Sequence, residues 1–173
     1  ESREQLRIKT YIINLPKDTD RRISITKELS KITCLDLEFV EAINGKELGK
    51  EKLSKLFDFP KSKEYQSNDL ALGEAGCTLS HYECYKRLLA SDQEFALIVE
   101  DDVGFIGNGP FDDLLEKTVR YVNKDKPVAI QLFSFFDYMG KEFLFSPGQK
   151  VYTTYKSALT TIYLINKQAA RII

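Results

Sequence analysis

The sequence predicts an α/β fold, a single domain in which helices flank a β-sheet. Short apolar runs of strand length alternate with segments whose apolar residues recur at helical spacing, a pattern typical of α/β layers. The clearest run, Phe95–Val99, leads without a break into three carboxylates, Glu100, Asp101 and Asp102. A short apolar run of this kind is typical of a strand that is buried on both faces, as in a parallel sheet.

Composition narrows the class of protein. The chain has 173 residues, of which 43% are hydrophobic, as expected of a folded domain with a sizeable core. The formal net charge of -1 provides no electrostatic case for binding nucleic acid. No apolar run approaches the ~18 residues that a membrane span needs. The three cysteines, an odd number, argue against a disulfide framework and favour a reducing, cytoplasmic location.

The chain reads as a piece of a longer protein. Its first residue is not Met, and the segment 168–173 resembles an unfinished helix. We therefore expect residues 1–173 to form one domain whose C-terminal part is incomplete.

Local signals define each element. Pro16 ends the first strand because proline cannot donate to a central ladder, and Asp18 or Thr19 can cap the helix that follows. Asn44-Gly45 and Pro147-Gly148 predict turns. The predicted strands are Thr10–Leu15, Leu37–Ala42, Phe95–Glu100, Pro127–Phe133, Phe143–Phe145, Lys150–Tyr152 and Ala158–Ile165. The predicted helices begin near Asp20, within 46–63, near Glu74, at Phe111 and after the capping residue Asn166.

The predicted strand end at Glu100 delivers acidic side chains to the edge of the sheet where open α/β folds bind ligands. Alternate residues of a strand share a face, so Glu100 and Asp102 are expected to point together and Asp101 away. Two carboxylates on one side suit Mg²⁺ or Mn²⁺ holding a phosphorylated substrate. The alternative is a solvated acidic turn after a core strand.

Two predicted helix starts have features that an anion would explain. Arg21 and Arg22 lie in a first helical turn, where their charge opposes the helix dipole. A nearby anion would account for them, and so would an ordinary surface ion pair. Gly73 and Gly76 lie at another helix start, where small residues let a ligand or another backbone approach closely.

Cys77, His81 and Cys84 share one helical face, which raises the question of a zinc site. The two cysteines lie roughly 10 Å apart along the helix axis. One tetrahedral ion with bonds of about 2.0–2.3 Å cannot easily collect all three side chains. We therefore predict that both cysteines are small core residues. His81 is either a packed or capping side chain or a group beside the substrate.

Two further segments have surface or binding interpretations. The segment 46–63 is rich in lysine and could contact an anionic acceptor or, peripherally, a membrane surface, although a solvated charged face is the simpler explanation. The aromatic residues of segment 134–138 could stack on a sugar ring, although core packing explains them as well.

Four segments occur in an order and spacing that resemble a known family. They are Ile13-Asn14-Leu15 followed by Arg21-Arg22, Phe39–Lys46, Gly73–His81, and Leu97–Val103. Together they resemble glycosyltransferase family 25, which includes bacterial lipooligosaccharide galactosyltransferases and collagen galactosyltransferases. The resemblance covers most of the chain, but segment 159–165 lacks the glycines of the family's Gly-Thr-x-Gly-Tyr-type stretch.

The resemblance implies a GT-A-like, Rossmann-type domain with a mixed sheet that transfers a hexose from a UDP-sugar with inversion. UDP-galactose is the expected donor, and a lipooligosaccharide or another glycan the expected acceptor. By similarity, Asp102, assisted by Glu100, would bind Mn²⁺ or Mg²⁺ on the donor diphosphate, and Asp101 would lie near the ribose. The other donor-site residues implied by the resemblance are Asn14, Leu15, Arg21, Arg22, Glu74, Ser80 and His81.

Inversion needs a general base on the acceptor hydroxyl, opposite the leaving group. Glu74 and Asp137 are candidates within the chain, and the base could also lie beyond residue 173. Two other functions remain open at this point. One is a magnesium-dependent enzyme acting on phosphate esters, and the other is a catalytically silent carbohydrate-binding module.

Overall fold

The computed structural model describes residues 6–65, 70–104, 111–132, 142–146, 149–152 and 161–173. The strands are β1 (Ile8–Asn14), β2 (Leu35–Glu41), β3 (Phe95–Glu100), β4 (Ala129–Gln131), β5 (Glu142–Ser146), β6 (Gln149–Tyr152) and β7 (Ile162–Asn166). The helices are α1 (Thr19–Leu29), α2 (Gly45–Leu53), α3 (Phe59–Tyr65), α4 (Leu72–Ala90), α5 (Phe111–Tyr121) and α6 (Lys167–Ile172).

The main sheet has five strands in the order β2-β1-β3-β7-β4. Strand β1 pairs in parallel with β2 and with β3, whereas β7 pairs antiparallel with both β3 and β4. The predicted α/β class with a mixed sheet and flanking helices is therefore confirmed. Strand β3 is buried as predicted, but its neighbours run in opposite directions, so the sheet is not parallel on both sides of it.

Side-chain alternation in the central strands builds a separate core on each face of the sheet. Odd-numbered β3 residues, such as Leu97 and Val99, pack with the buried residues of α1 and α5. The even-numbered residues Ala96 and Ile98 pack on the other face, with α4 and α6. Both faces of β3 are thus covered, which is why its sequence shows a continuous apolar run and no polar alternation.

Helix α4 is also fixed to the sheet by a small ion-pair network. Glu38 on β2 accepts from Lys9 Nζ on β1 and from Arg87 Nη1 on α4, each at 2.7 Å. The hydrogen bond from Lys9 lowers the pKa of Glu38 below its ordinary value. The network joins three elements and sets where α4 crosses the first two strands.

The connection between β2 and α2 lies directly against the start of α4. A Cβ added at Gly76 would lie 2.5 Å from both Gly45 N and Ile43 O, so the backbones touch here. Ser80 Oγ accepts from Ile43 N at 2.8 Å and donates to Gly76 O at 2.8 Å. The predicted close approach at Gly76 is therefore confirmed, and the partner is another backbone.

The predicted elements are found with small shifts in their bounds. Strand Pro127–Phe133 shortens to β4. The segment 46–63 forms most of two helices, α2 and α3, and Gly49 interrupts α2 at a φ of 76°. Asn166 caps α6 as predicted, since its Oδ1 accepts from Ala169 N at 2.9 Å. Asp137 and the aromatic segment 134–138 lie outside the described residues. Among those described, no helix combines the length and apolar character that a membrane span requires.

We expect Gly76→Ala to lower the free energy of unfolding by about 1–3 kcal/mol, because the new methyl group overlaps backbone atoms that cannot move independently. Gly73→Ala is the matched control, because a Cβ there meets nothing within 4 Å. It should leave stability unchanged or raise it by up to about 1 kcal/mol. Urea denaturation of both variants measures the difference, and equal stabilities would contradict the close contact.

Candidate functional site at the tip of strand β3

The acidic tip of β3 divides its side chains between the two faces of the sheet. The strand ends at Glu100, as predicted, and Asp101 and Asp102 form the turn that follows. Glu100 continues the face of Ile98 and approaches α4, whereas Asp101 continues the face of Val99 and approaches α1. The tip therefore has two polar clusters, one on each side.

The first cluster joins Asp101 to the end of β1 and the start of α1. Asn14 Nδ2 donates to Asp101 Oδ2 at 2.7 Å, and Arg21 Nη1 forms an ion pair with Asp101 Oδ1 at 3.2 Å. The hydrogen bond to Asp101 raises the pKa of Arg21 above its ordinary value. Arg21 therefore forms an ion pair with a side chain of the protein, the second of the two explanations that the sequence left open.

Asn14 contributes a buried acceptor to the first cluster. Its side chain is 3% exposed, and Oδ1 has no hydrogen bond with any described residue. The amide cannot be turned around, because Nδ2 must face the Asp101 carboxylate to donate to it. Buried polar atoms are nearly always paired. Asn14 Oδ1 is therefore suited to accept an N–H or O–H of a bound molecule.

The second cluster joins Glu100 to α4 and β7. His81 Nε2 lies 3.2 Å from Glu100 Oε1, and His81 Nδ1 lies 2.8 Å from the Tyr163 hydroxyl. The Tyr163 hydroxyl lies 2.8 Å from that of Tyr85, and burial raises the pKa of Tyr163 well above its ordinary value, so this hydroxyl stays protonated. Cys77 Sγ lies 4.0 Å from Glu100 Oε1 and completes the cluster.

The two cysteines of α4 have different environments. Cys84 is fully buried in the core between α4 and the sheet, as predicted. The prediction is wrong for Cys77, which is exposed. Cys77 lies two helical turns nearer the N-terminus, level with the tip of β3, where the sheet no longer covers the helix. The sequence gives the helical face of a residue but not its height above the sheet.

The remaining predicted site residues lie apart from these clusters. Glu74 is exposed, and its Oε2 accepts from Ala71 N at 2.8 Å, capping its own helix. Ser80 is buried in the junction with Ile43. Arg22 stacks over the Phe39 ring, with its guanidinium carbon 3.8 Å from the ring centroid.

Asp102 is exposed in the turn after β3, and Leu15 lines a cavity of about 640 Å³. The cavity lies beyond the carboxyl ends of β1 and β2, with charged walls formed by Lys17, Glu41, Glu47, Glu83 and Arg87. It occupies the edge at which open α/β sheets bind ligands. The role of each predicted residue in donor binding stays a prediction.

The fold defines an α/β protein of the Rossmann-like class, with its polar clusters at the carboxyl ends of the parallel strands β1 and β3. The comparisons with known proteins identify the family. The profile described as Glycosyltransferase family 25 (LPS biosynthesis protein) matches residues 7–173. The chain belongs to glycosyltransferase family 25, so the resemblance carried by the four segments is confirmed.

Curated relatives match part of the chain. A Glycosyltransferase 25 family member of Aedes aegypti is 34% identical over 98 residues, 55% of this chain and 16% of the relative. Procollagen galactosyltransferase 2 of Homo sapiens is 36% identical over 98 residues, with the same two shares. A Glycosyltransferase 25 family member of Drosophila melanogaster is 30% identical over 126 residues, 69% of this chain and 19% of the relative. The aligned segments thus span less than a fifth of these relatives.

Sequence reasoning missed Tyr163, Tyr85 and Cys77 as members of the polar cluster. Tyr163 had a usable signal, because it is the one tyrosine in the predicted last strand and so carries a hydroxyl into a buried element. Tyr85 follows His81 by four residues and so shares its helical face. The proximity of these side chains to Glu100 depends on β7 pairing beside β3, which no local pattern indicates.

In the native protein, we expect Cys77 to react with iodoacetamide much faster than Cys34 and Cys84. Burial raises the pKa of both Cys34 and Cys84 to about 12, so almost no thiolate is present at neutral pH. Peptide mass mapping after brief labelling measures the order, and labelling in denaturant is the control that should modify all three. Native labelling of Cys84 at the rate of Cys77 would contradict the described burial.

We expect Tyr163→Phe to cost more stability than Tyr85→Phe. The first change removes the central hydroxyl and leaves both His81 Nδ1 and the Tyr85 hydroxyl without their partner, a loss of about 1–3 kcal/mol. The second leaves the Tyr163–His81 contact intact and should cost about 1 kcal/mol. Thermal and urea unfolding of the two variants test the order. The reverse order would contradict the central position of the Tyr163 hydroxyl between His81 and Tyr85.

Proposed function

We propose that this protein transfers galactose, with inversion, from UDP-galactose to a glycan acceptor of the lipooligosaccharide type. Membership of family 25 supports glycosyl transfer, and the human relative, a procollagen galactosyltransferase, supports galactose as the sugar. The observation that carries the proposal is the arrangement of Asn14, Arg21 and Asp101 at the strand edge. An orphan acceptor, a cation and a carboxylate there match the hydrogen-bonding groups of a nucleotide.

The nucleotide would bind along the end of β1. Asn14 Oδ1 would accept a hydrogen bond from the uracil N–H or a ribose hydroxyl, and so gain the partner that it lacks among the described residues. Asp101, fixed by Asn14 and Arg21, would accept from a ribose hydroxyl. Arg21 is more than half exposed and can turn toward a phosphate. Leu15 would offer an apolar contact at the rim of the cavity.

The donor diphosphate would be held through a divalent cation. Glu100 and Asp102 offer carboxylate oxygens at the strand tip, the ligands that Mg²⁺ and Mn²⁺ prefer. Asp101 is already engaged by Asn14 and Arg21, which leaves Asp102 as the more direct ligand, with Glu100 beside it. A bound cation would stabilise the negative charge that develops on the departing diphosphate. His81 would orient Glu100 by its contact with Oε1.

An inverting reaction also requires a base that takes the proton of the acceptor hydroxyl. Glu74 is the candidate that lies within the described residues, on the first turn of α4 and exposed. Its contact with Ala71 N fixes the carboxylate in place without removing it from solvent. Asp137 is kept as the second candidate.

A cytoplasmic location with peripheral contact at the inner membrane is part of the proposal. The lysines of the segment 46–63 support it, since all of them are exposed on or near α2 and α3: Lys46, Lys50, Lys52, Lys55, Lys61 and Lys63. Exposed lysines attract anionic lipid headgroups by roughly 1 kcal/mol each near the surface. A membrane-bound glycolipid acceptor would then be close to the enzyme.

Calorimetric titration with UDP, with and without Mn²⁺, tests the donor site. We expect Mn²⁺ to tighten UDP binding at least tenfold, and Asp102→Asn to abolish that enhancement while leaving the fold unchanged by circular dichroism. Asp92→Asn is the matched control, because Asp92 is an exposed acid that precedes β3, at the opposite edge of the sheet. It should bind UDP like the unmodified protein.

Three outcomes would separate the candidate functions. Metal binding without preference for UDP would favour an enzyme of phosphate esters, and no binding of UDP or metal would favour a silent module. UDP binding that Mn²⁺ enhances equally in Asp102→Asn would remove Asp102 as the ligand but keep the transferase. Release of UDP from UDP-galactose in the presence of a lipooligosaccharide tests the reaction itself.

A further inference from the structure

We propose that Cys77, His81 and Glu100 form a Zn²⁺ site beside the tip of β3. Helix geometry argues against a zinc site made of Cys77, His81 and Cys84, and the burial of Cys84 in the core agrees. The fold supplies a different third ligand, since it brings the carboxylate of Glu100 from another element to the same point. This proposal concerns metal binding alone and does not depend on transferase activity.

The distances between the ligand atoms are close to those around a tetrahedral ion. The potential ligand atoms of the three residues all lie within 4.8 Å of one another. Two of the separations are 3.2 Å, from His81 Nε2 to Glu100 Oε1, and 4.0 Å, from Cys77 Sγ to Glu100 Oε1. Bonds of about 2.0–2.3 Å in tetrahedral geometry separate ligand atoms by roughly 3.3–3.8 Å. Small rotations of the exposed Cys77 and partly exposed Glu100 side chains would therefore close the site.

The positions of the ligands follow from regular secondary structure. Cys77 and His81 are four residues apart on α4, so they lie on one face about 6 Å apart along the axis. Glu100 is the last residue of β3 and continues the strand face that packs against α4. Two ligands come from a helix and one from a strand, which are rigid supports for a metal site.

The tyrosine pair behind His81 supplies the supporting shell that metal-bound histidines require. Zinc binding at Nε2 needs the ring proton on Nδ1, which would donate to the Tyr163 hydroxyl, and Tyr163 would then donate to Tyr85. Without metal, Nε2–H donates to Glu100 and the tyrosine hydroxyls rotate in the opposite sense. On binding, the Cys77 thiol releases its proton to solvent, and the imidazole keeps one proton but moves it from Nε2 to Nδ1.

The donor set selects the metal. A thiolate and an imidazole with one carboxylate suit Zn²⁺, whereas Mg²⁺ and Mn²⁺ prefer oxygen ligands alone. Three protein ligands leave a fourth position for water or another molecule. Because Glu100 is also a proposed ligand of the donor cation, zinc and the donor cation would exclude one another at the strand tip.

Cobalt and zinc titrations of the full chain test the site. Cobalt should produce a thiolate-to-metal charge-transfer absorbance that saturates at one ion per chain, and zinc should displace it. Cys77→Ser should abolish this absorbance, and Glu100→Gln should weaken zinc affinity more than ~100-fold, beyond the ~10–100-fold typical of an outer-shell change. Tyr163→Phe should weaken it by about tenfold if that residue supports the histidine.

A matched control and a second readout keep the test decisive. Glu83→Gln changes a glutamate on the same helix that pairs with Lys86 and Arg87, and it should bind zinc normally. Zinc should also slow iodoacetamide labelling of Cys77 at least tenfold, a measurement made on the unmodified protein that needs no variant to fold. Calorimetry of Mn²⁺ binding in the presence of zinc measures the exclusion.

Three results would overturn the proposal. One is cobalt absorbance that persists in Cys77→Ser, which would place the thiolate at Cys34 or Cys84. Another is zinc binding that Glu100→Gln leaves unchanged. The third is zinc that binds without protecting Cys77 from labelling. Failure of UDP binding would leave the zinc site unaffected, so the two proposals fail independently.

Discussion

The structure depends on the alternation of side chains along a strand that is buried on both faces. Strand β3 lies between β1 and β7, and its apolar residues fill two separate cores. When such a strand ends in acids, successive carboxylates must point to opposite sides of the sheet. Each one then needs partners from the helix on its own side, because an unpaired buried charge is too costly. The start of α1 supplies Arg21, and the middle of α4 supplies His81.

Several exceptions to the usual rules of charge placement, burial and hydrogen bonding occur close together at this strand tip. Arginines in the first turn of α1 oppose the helix dipole, the only histidine is buried, and Asn14 Oδ1 has no hydrogen-bond partner in the described part of the chain. Such exceptions are expected where a protein has been selected for binding more than for stability. Because these exceptions occur together, they identify this edge of the sheet as a candidate site even without the comparison with relatives.

The sequence predicts the elements of this fold well because each has a local cause. Pro16 lies two residues after the end of β1, Asn166 caps α6, and the apolar run Phe95–Val99 forms most of β3. The order and direction of the strands have no comparable local signal in the sequence. Strand β7 runs antiparallel beside β3, which follows from how the intervening chain returns and not from its own residues.

The site is predicted less completely than the fold. Its acids and Arg21 follow from their unusual placement, but the motif residue Ser80 turns out to bond the backbone of Ile43 and Gly76. A hydroxyl in a motif gives no indication of whether it faces a ligand or another part of the chain. Cys77 and Cys84 illustrate the same limit, because equivalent positions on one helical face differ in burial where the sheet below them ends.

The place of β7 also bears on how the nascent chain avoids aggregation. It covers the side of β3 that β1 leaves open, yet it is synthesised long after β1, β2 and β3. Until it arrives, an apolar strand presents a free row of N–H and C=O groups, the kind of edge on which other chains assemble. A variant from which β7 alone was deleted would keep most of its helices but expose this edge permanently, and insolubility would follow from the loss of five residues.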